Sequence, residues 1–132
     1  MENALRSPDV LVGTWQVSGT DGIRGHVTYK WMDGGHFLVQ HVDLAADDET
    51  SGKGIEYIRF DADSGTLRSH YFGQSGELFE YTYQVEGDTL TIWFGDRTSP
   101  AKFSGTFNAD FTANSGGWVW PGGGYESTMV KL

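Results

Sequence analysis

The stretch that decides the fold is residues 55–72, in which two β-rich runs flank a short turn: Ile55-Glu56-Tyr57-Ile58-Arg59-Phe60-Asp61-Ala62-Asp63-Ser64-Gly65-Thr66-Leu67-Arg68-Ser69-His70-Tyr71-Phe72. The central segment, from Asp61 to Thr66, has the residue types of a tight hairpin turn. If Asp61 pairs with Thr66 around a four-residue loop, Arg59 lies opposite Arg68 and Tyr57 lies opposite His70. The sequence therefore predicts an antiparallel hairpin with two arginines, a tyrosine and a histidine on one face.

Similar β-rich runs recur along the whole chain, separated by turn residues at roughly 10–12-residue intervals, a spacing typical of all-β folds. The candidate strands are Val12–Ser18, Ile23–Trp31, His36–Leu44, Gly54–Asp61, Thr66–Phe72, Glu77–Glu86, Thr89–Gly95, Ala101–Asn108, Thr112–Trp120 and Tyr125–Leu132. Consecutive hairpins favour an up-and-down meander, and closure removes exposed sheet edges. We predict an all-β fold, an up-and-down antiparallel closed β-barrel of about eight to ten strands, as a single domain over residues 1–132, with a short turn or helix within residues 1–11.

The net charge and the composition of the chain restrict the classes of molecule that it can bind. The chain has 9 basic and 18 acidic residues and a net charge of −9, which disfavours nucleic acids and anionic membranes as partners. It has no cysteine, which excludes disulfides and thiolate chemistry. Because the N-terminus has no apolar signal region and no segment approaches transmembrane length, we expect a cytoplasmic protein. The sequence leaves a homodimer open.

The alternation of residues 77–86 predicts which face of the sheet is inside. Phe79, Tyr81, Tyr83 and Val85 share one face, which should therefore point inward. A two-residue Gly87-Asp88 turn then directs Leu90, Ile92 and Phe94 inward. A four-residue Gly73–Gly76 loop pairs Phe72 with Glu77, which directs Arg68 and His70 inward, together with Tyr57 and Arg59 of the preceding hairpin. A turn one residue longer or shorter at Asp61–Thr66 would instead direct Ile58 and Phe60 inward.

The second and third strands add further interior residues. Around Asp33-Gly34, the apolar face of residues 23–31 pairs with the face that contains His36 and Gln40. The predicted ligand-binding residues are Tyr29, His36, Gln40, Tyr57, Arg59, Arg68, His70 and Tyr81. A filled core would hardly hold so many polar groups, because burying unpartnered ones is costly. The pattern therefore predicts a cavity.

The motif Gly13-Thr14-Trp15 resembles the Gly-x-Trp signature of lipocalins and other calycins. The whole chain also resembles a family of small bacterial lipocalin-like proteins, in segments 31–38, 65–66, 71–72, 87–90 and 103–107 as well as at this motif. The resemblance implies a closed barrel with a ligand cavity, in which Trp15 plugs one end beneath a basic residue of the last strand. Lys131 is the candidate for that residue.

These observations favour binding of a small, partly apolar ligand inside the barrel, and the arginines suggest an anionic one, since they recognise carboxylate or phosphate well. The alternative is a cavity enzyme of the isomerase, cyclase or proton-transfer type, with His70 and Tyr57 as acid–base groups. A third interpretation is an interaction module with a filled, inert barrel.

The sequence indicates no cofactor and no metal site, although haem ligation by one interior histidine stays open. The acidic connection 45–52 fits a solvated loop better than a calcium site.

Overall fold

A computed structural model describes residues 7–46 and 51–132 of the chain. Its ten strands are β1 (Gly13–Gly19), β2 (Arg24–Trp31), β3 (Leu38–Ala45), β4 (Ser51–Asp61), β5 (Thr66–Gly73), β6 (Leu78–Glu86), β7 (Thr89–Phe94), β8 (Lys102–Phe107), β9 (Ala113–Trp120) and β10 (Gly123–Lys131). Two short 3-10 helices, Ser7–Leu11 and Thr20–Gly22, precede β1 and β2 respectively. In the part of the chain that the structure describes, no helix is long and apolar enough to cross a membrane.

The strands form one closed antiparallel barrel. Each strand pairs with its neighbours in sequence, and β1 pairs with β10 to close the sheet. This confirms the predicted all-β, up-and-down closed barrel. Each of the ten candidate strands overlaps one of the strands observed, because turn-forming residues, in most cases including glycine, separate the β-rich runs along the sequence.

The register of the β4–β5 hairpin is as predicted. Asp61 pairs with Thr66, Arg59 with Arg68, and Tyr57 with His70. The turn is held by the Gly65 N–H, which donates to the Asp61 carbonyl at 2.8 Å, and Gly65 has a φ of +69° that favours glycine. The local turn chemistry therefore fixes this pairing.

The predicted inward face of this hairpin is wrong. The buried positions of β4 and β5 are the alternate ones, Glu56, Ile58, Leu67 and Ser69. The error lies in the next turn, where Gly73 donates to the Glu77 carbonyl at 2.8 Å and Phe72 pairs with Leu78 instead of Glu77. This three-residue turn, Gln74–Gly76, shifts β6 by one residue against β5, and such a shift exchanges inward and outward faces.

One end of the barrel is closed around Trp15, a side chain with no solvent exposure. Its indole Nε1–H donates to the Leu11 carbonyl at 2.7 Å, and its ring lies 6.3 Å from that of Phe107. Lys131 of β10 pairs with Trp15 and places its Nζ 5.4 Å from the ring centroid. Gly13 makes this possible, because a Cβ there would lie 2.9 Å from the Lys131 Cε. We call this region the closed end; it confirms the plug and basic cover that the Gly-x-Trp resemblance implied.

Candidate functional site

A cavity of about 130 Å³ lies inside the barrel. Its wall is formed mostly by apolar and aromatic side chains that several strands direct inward. The lining residues are Val17, Ile23, Val27, Tyr29, Gln40, Leu44, Leu90, Ile92, Phe103, Asn114, Trp118, Tyr125, Ser127 and Met129. The interior is therefore not completely filled, unlike that of the inert barrel considered above.

Asn114 is a polar residue of the cavity lining and lies near the start of β9. Its side chain is 1% exposed, and neither its Nδ2 nor its Oδ1 has a hydrogen-bond partner. Gly105 on the adjacent strand makes room for the amide, since a Cβ at Gly105 would collide with the Asn114 Oδ1. The register partners of Asn114 are the apolar Phe107 and Met129. Asn114 is thus an unsatisfied donor and acceptor in a largely apolar cavity.

A second polar group, centred on Glu56, lies on the inner wall of β4. The carboxylate is 2% exposed and accepts hydrogen bonds from Ser69 Oγ at 2.6 Å and Tyr83 Oη at 2.7 Å. Tyr29 lies close to Tyr83 and to Gln40, and because Tyr29 and Gln40 line the cavity, this group adjoins the cavity wall. Burial raises the pKa of Glu56 above its ordinary value, against the opposite effect of the two hydrogen bonds.

Burial also affects the tyrosines of this group. The pKa values of Tyr29 and Tyr83 are raised, first by desolvation and then by the nearby Glu56. Both phenols therefore remain protonated at neutral pH, and Tyr83 donates its proton in a hydrogen bond to Glu56. The interior thus contains neutral hydroxyl and amide groups around one carboxyl group.

The opposite end of the barrel is lined by aromatic rings that reach solvent. Phe79 of β6 and Phe94 of β7 face inward, yet they are 36% and 44% exposed. Their ring centroids lie 5.6 Å apart, and each contacts Tyr81, which in turn lies 5.9 Å from Trp118 of the cavity wall. We call Phe79, Tyr81, Phe94 and Trp118 the open-end cluster. It connects the cavity wall to the solvent-exposed rim.

The structure separates the eight predicted site residues. Tyr29 and Gln40 line the cavity, and Tyr81 lies in the open-end cluster. The inward positions of these three are as predicted, and their role in ligand binding stays a prediction. His36 is exposed in the turn before β3, not on the inner face, because β3 begins only at Leu38.

The other four predicted residues, Tyr57, Arg59, Arg68 and His70, lie on the outer face of the β4–β5 hairpin. There Arg59 Nη1 lies 3.5 Å from Asp61 Oδ1, and His70 Nε2 lies 3.5 Å from Glu80 Oε1. Solvent weakens such pairs. Their predicted placement inside the barrel is wrong, and His70 and Tyr57 are not positioned to act on a molecule in the barrel cavity.

Sequence reasoning missed Glu56 and Asn114. Glu56 lies on the same face of its strand as Ile58 and Phe60, and the apolarity of these two residues was the available signal that this face is buried. Asn114 shares its face with Trp118 and has no distinctive local motif. Its burial without a hydrogen-bond partner is visible only in the three-dimensional structure.

No group of three or more metal-ligating side chains occurs in residues 7–46 and 51–132. The acidic connection 45–52, considered above for calcium, includes residues 47–50, which lie outside the described residues.

Comparison with known proteins agrees with this architecture. A designed protein described as a fluorescence-activating beta barrel superimposes with a TM-score of 0.52 at 17% sequence identity, over 100% of this chain and 99% of the design. At this identity the similarity shows the fold alone. No curated protein sequence matches. The sequence model of the lipocalin-like domain matches residues 11–114, and the chain therefore belongs to the lipocalin-like domain family.

Proposed function

We propose that this protein binds a small, largely apolar molecule in its barrel cavity. The observation that carries the proposal is the cavity of about 130 Å³ within a closed barrel, lined mainly by apolar side chains. Small-molecule sites in proteins have this character, with a few polar groups that orient the ligand. Membership of the lipocalin-like family is consistent with such a role.

The volume of the cavity and the charge of its lining narrow the class of ligand. A cavity of roughly 150 Å³ lined by aliphatic and aromatic side chains can hold benzene, so a single-ring compound is of suitable size. The arginines that suggested an anionic ligand face solvent, and the residues around the cavity include no lysine or arginine. The cavity therefore favours an uncharged molecule over the anion considered from the sequence.

Toluene is a suitable first probe because it has one apolar ring and no polar group. We expect toluene to shift the backbone amide NMR signals of strands that line the cavity, including β7 and β10. Met129→Trp places a larger side chain in the cavity and should weaken this binding by at least about tenfold. Val130→Trp is the matched control, because Val130 is the next residue of β10 and lies on the exposed outer face.

Thermal unfolding and circular dichroism establish that both variants retain the barrel. Equal toluene affinity in the two tryptophan variants, or signal changes confined to outward-facing residues, would contradict binding inside the barrel. The same titration with the unmodified protein provides the reference affinity.

A further inference from the structure

The side-chain amide of Asn114 needs a hydrogen-bond partner that no described residue supplies. Its amide is 1% exposed, and neither polar atom has a hydrogen bond. Folded proteins rarely leave a buried side-chain amide unsatisfied, because it has lost its hydrogen bonds to water. A partner in the cavity would remove this penalty.

The surroundings of Asn114 show where that partner must be. On one side the amide packs over Gly105, where a Cβ would collide with its Oδ1. Its register partners on β8 and β10 are Phe107 and Met129, whose side chains offer no N–H or O–H group. Asn114 is itself part of the cavity lining, so a molecule in the cavity can reach the amide.

The other lining residues constrain the rest of that molecule. Phe103 and Trp118 form an aromatic wall, with their ring centroids 6.1 Å apart. Aliphatic side chains such as Leu90 and Ile92 line another part of the cavity. This combination suits a flat ring. A buried water molecule usually makes about three hydrogen bonds. The side chains in register with Asn114 are apolar and cannot donate one to such a water molecule.

We propose that Asn114 recognises the polar end of an uncharged ring compound that carries a carboxamide. A carboxamide has a donor and an acceptor side by side, so it can pair with both atoms of the asparagine amide. The ring then lies against Phe103 and Trp118. An anion is disfavoured, because the lining includes no lysine or arginine and Glu56 lies on the inner wall nearby. This proposal rests on the proposed function and specifies its ligand class.

Three probes of similar size test this assignment: benzamide, benzoate and toluene. We expect the protein to bind benzamide about ten- to a hundredfold more tightly than toluene, as one well-made polar contact allows, and benzoate least well. In the unmodified protein, benzamide should shift the side-chain amide NMR signal of Asn114 by hydrogen bonding. This measurement needs no variant.

The variant Asn114→Leu replaces the amide by an apolar group of similar size. It should abolish the preference for benzamide while toluene binds at least as tightly as before. Ser115→Ala is the matched control, since Ser115 is exposed on the outer face of the same strand. It should leave all three affinities unchanged.

The outcomes separate the two proposals. Equal binding of toluene and benzamide, with the Asn114 side-chain signal unchanged by benzamide, would overturn the role of Asn114 and leave cavity binding intact. Failure of every probe, toluene included, to bind the unmodified protein would overturn both. Tighter binding of benzoate than benzamide would overturn the assignment to an uncharged ligand.

Discussion

The two ends of the barrel use aromatic side chains in opposite ways. At the closed end, Trp15 has no solvent exposure and its indole N–H is satisfied by Leu11. At the other end, Phe79 and Phe94 face inward and remain partly exposed. Buried aromatic area contributes strongly to folding, whereas rings on a rim contribute less and remain available to a ligand. The difference indicates that the closed end stabilises the fold, and we expect the other end to give access to the cavity.

The largest expected effect tests the closed end. Trp15→Ala should lower the free energy of unfolding by about 3–5 kcal/mol, because it removes a fully buried ring and leaves a cavity. Trp120→Ala is the control, since Trp120 is 43% exposed near the other end, and it should cost clearly less. Urea unfolding measures both. Equal losses would show that the two ends do not differ in their contribution to stability.

An intermediate effect tests the middle of the barrel, where Glu56 lies between the two ends. Because burial raises the pKa of Glu56, the folded protein holds the proton of this carboxyl group more tightly than the unfolded chain does. Stability is therefore greatest below the unfolded-state pKa and falls as the pH rises toward the raised folded-state value, by at most about 1.4 kcal/mol per pH unit.

Glu56→Gln should remove this fall, because the amide does not ionise. Urea unfolding at about pH 5, 6, 7 and 8 measures the slope, and Glu126→Gln, at an exposed position of β10, is the control. A slope in Glu56→Gln as steep as in the unmodified protein would show that other groups cause the pH dependence.

The smallest effect on stability is expected at the open-end cluster. Phe94→Ala should lower the free energy of unfolding by only about 1 kcal/mol, since the ring is already 44% exposed. The same change should speed toluene exchange, because it removes a ring from the rim. NMR exchange measurements on the unmodified protein and the variant give the rate. An unchanged exchange rate would place the entry route elsewhere.

The register in which strands pair was more predictable from the sequence than the face of each strand that points into the barrel. Residues 61–66 specify their own turn, so the pairing of Arg59 with Arg68 followed from local chemistry. The face exposed to the interior depended on the Gln74–Gly76 turn, where two loop lengths fit the same residues. Gly76, with a φ of +96°, completes the shorter turn, and this reversed the predicted positions of Arg68 and His70.

The candidate site was less predictable than the fold. Tyr29 and Gln40 were correctly placed inside because their strands alternate clearly around the Asp33-Gly34 turn. The importance of Asn114 depends on contacts among three strands and on the missing side chain of Gly105. Such a three-dimensional arrangement has no local periodic signature, so it cannot be inferred from residue patterns in the sequence.

The pairing of β1 with β10 has a consequence for the lifetime of the folded protein. Every other strand pair joins neighbours in sequence, whereas this seam joins strands separated by most of the chain. Such a distant pairing costs more loop entropy, so it should form late in folding. Interactions that form late mainly slow unfolding. Because Trp15 and Lys131 pair across this seam, the residues that close the barrel end should govern how long the barrel survives, with little influence on how fast it assembles.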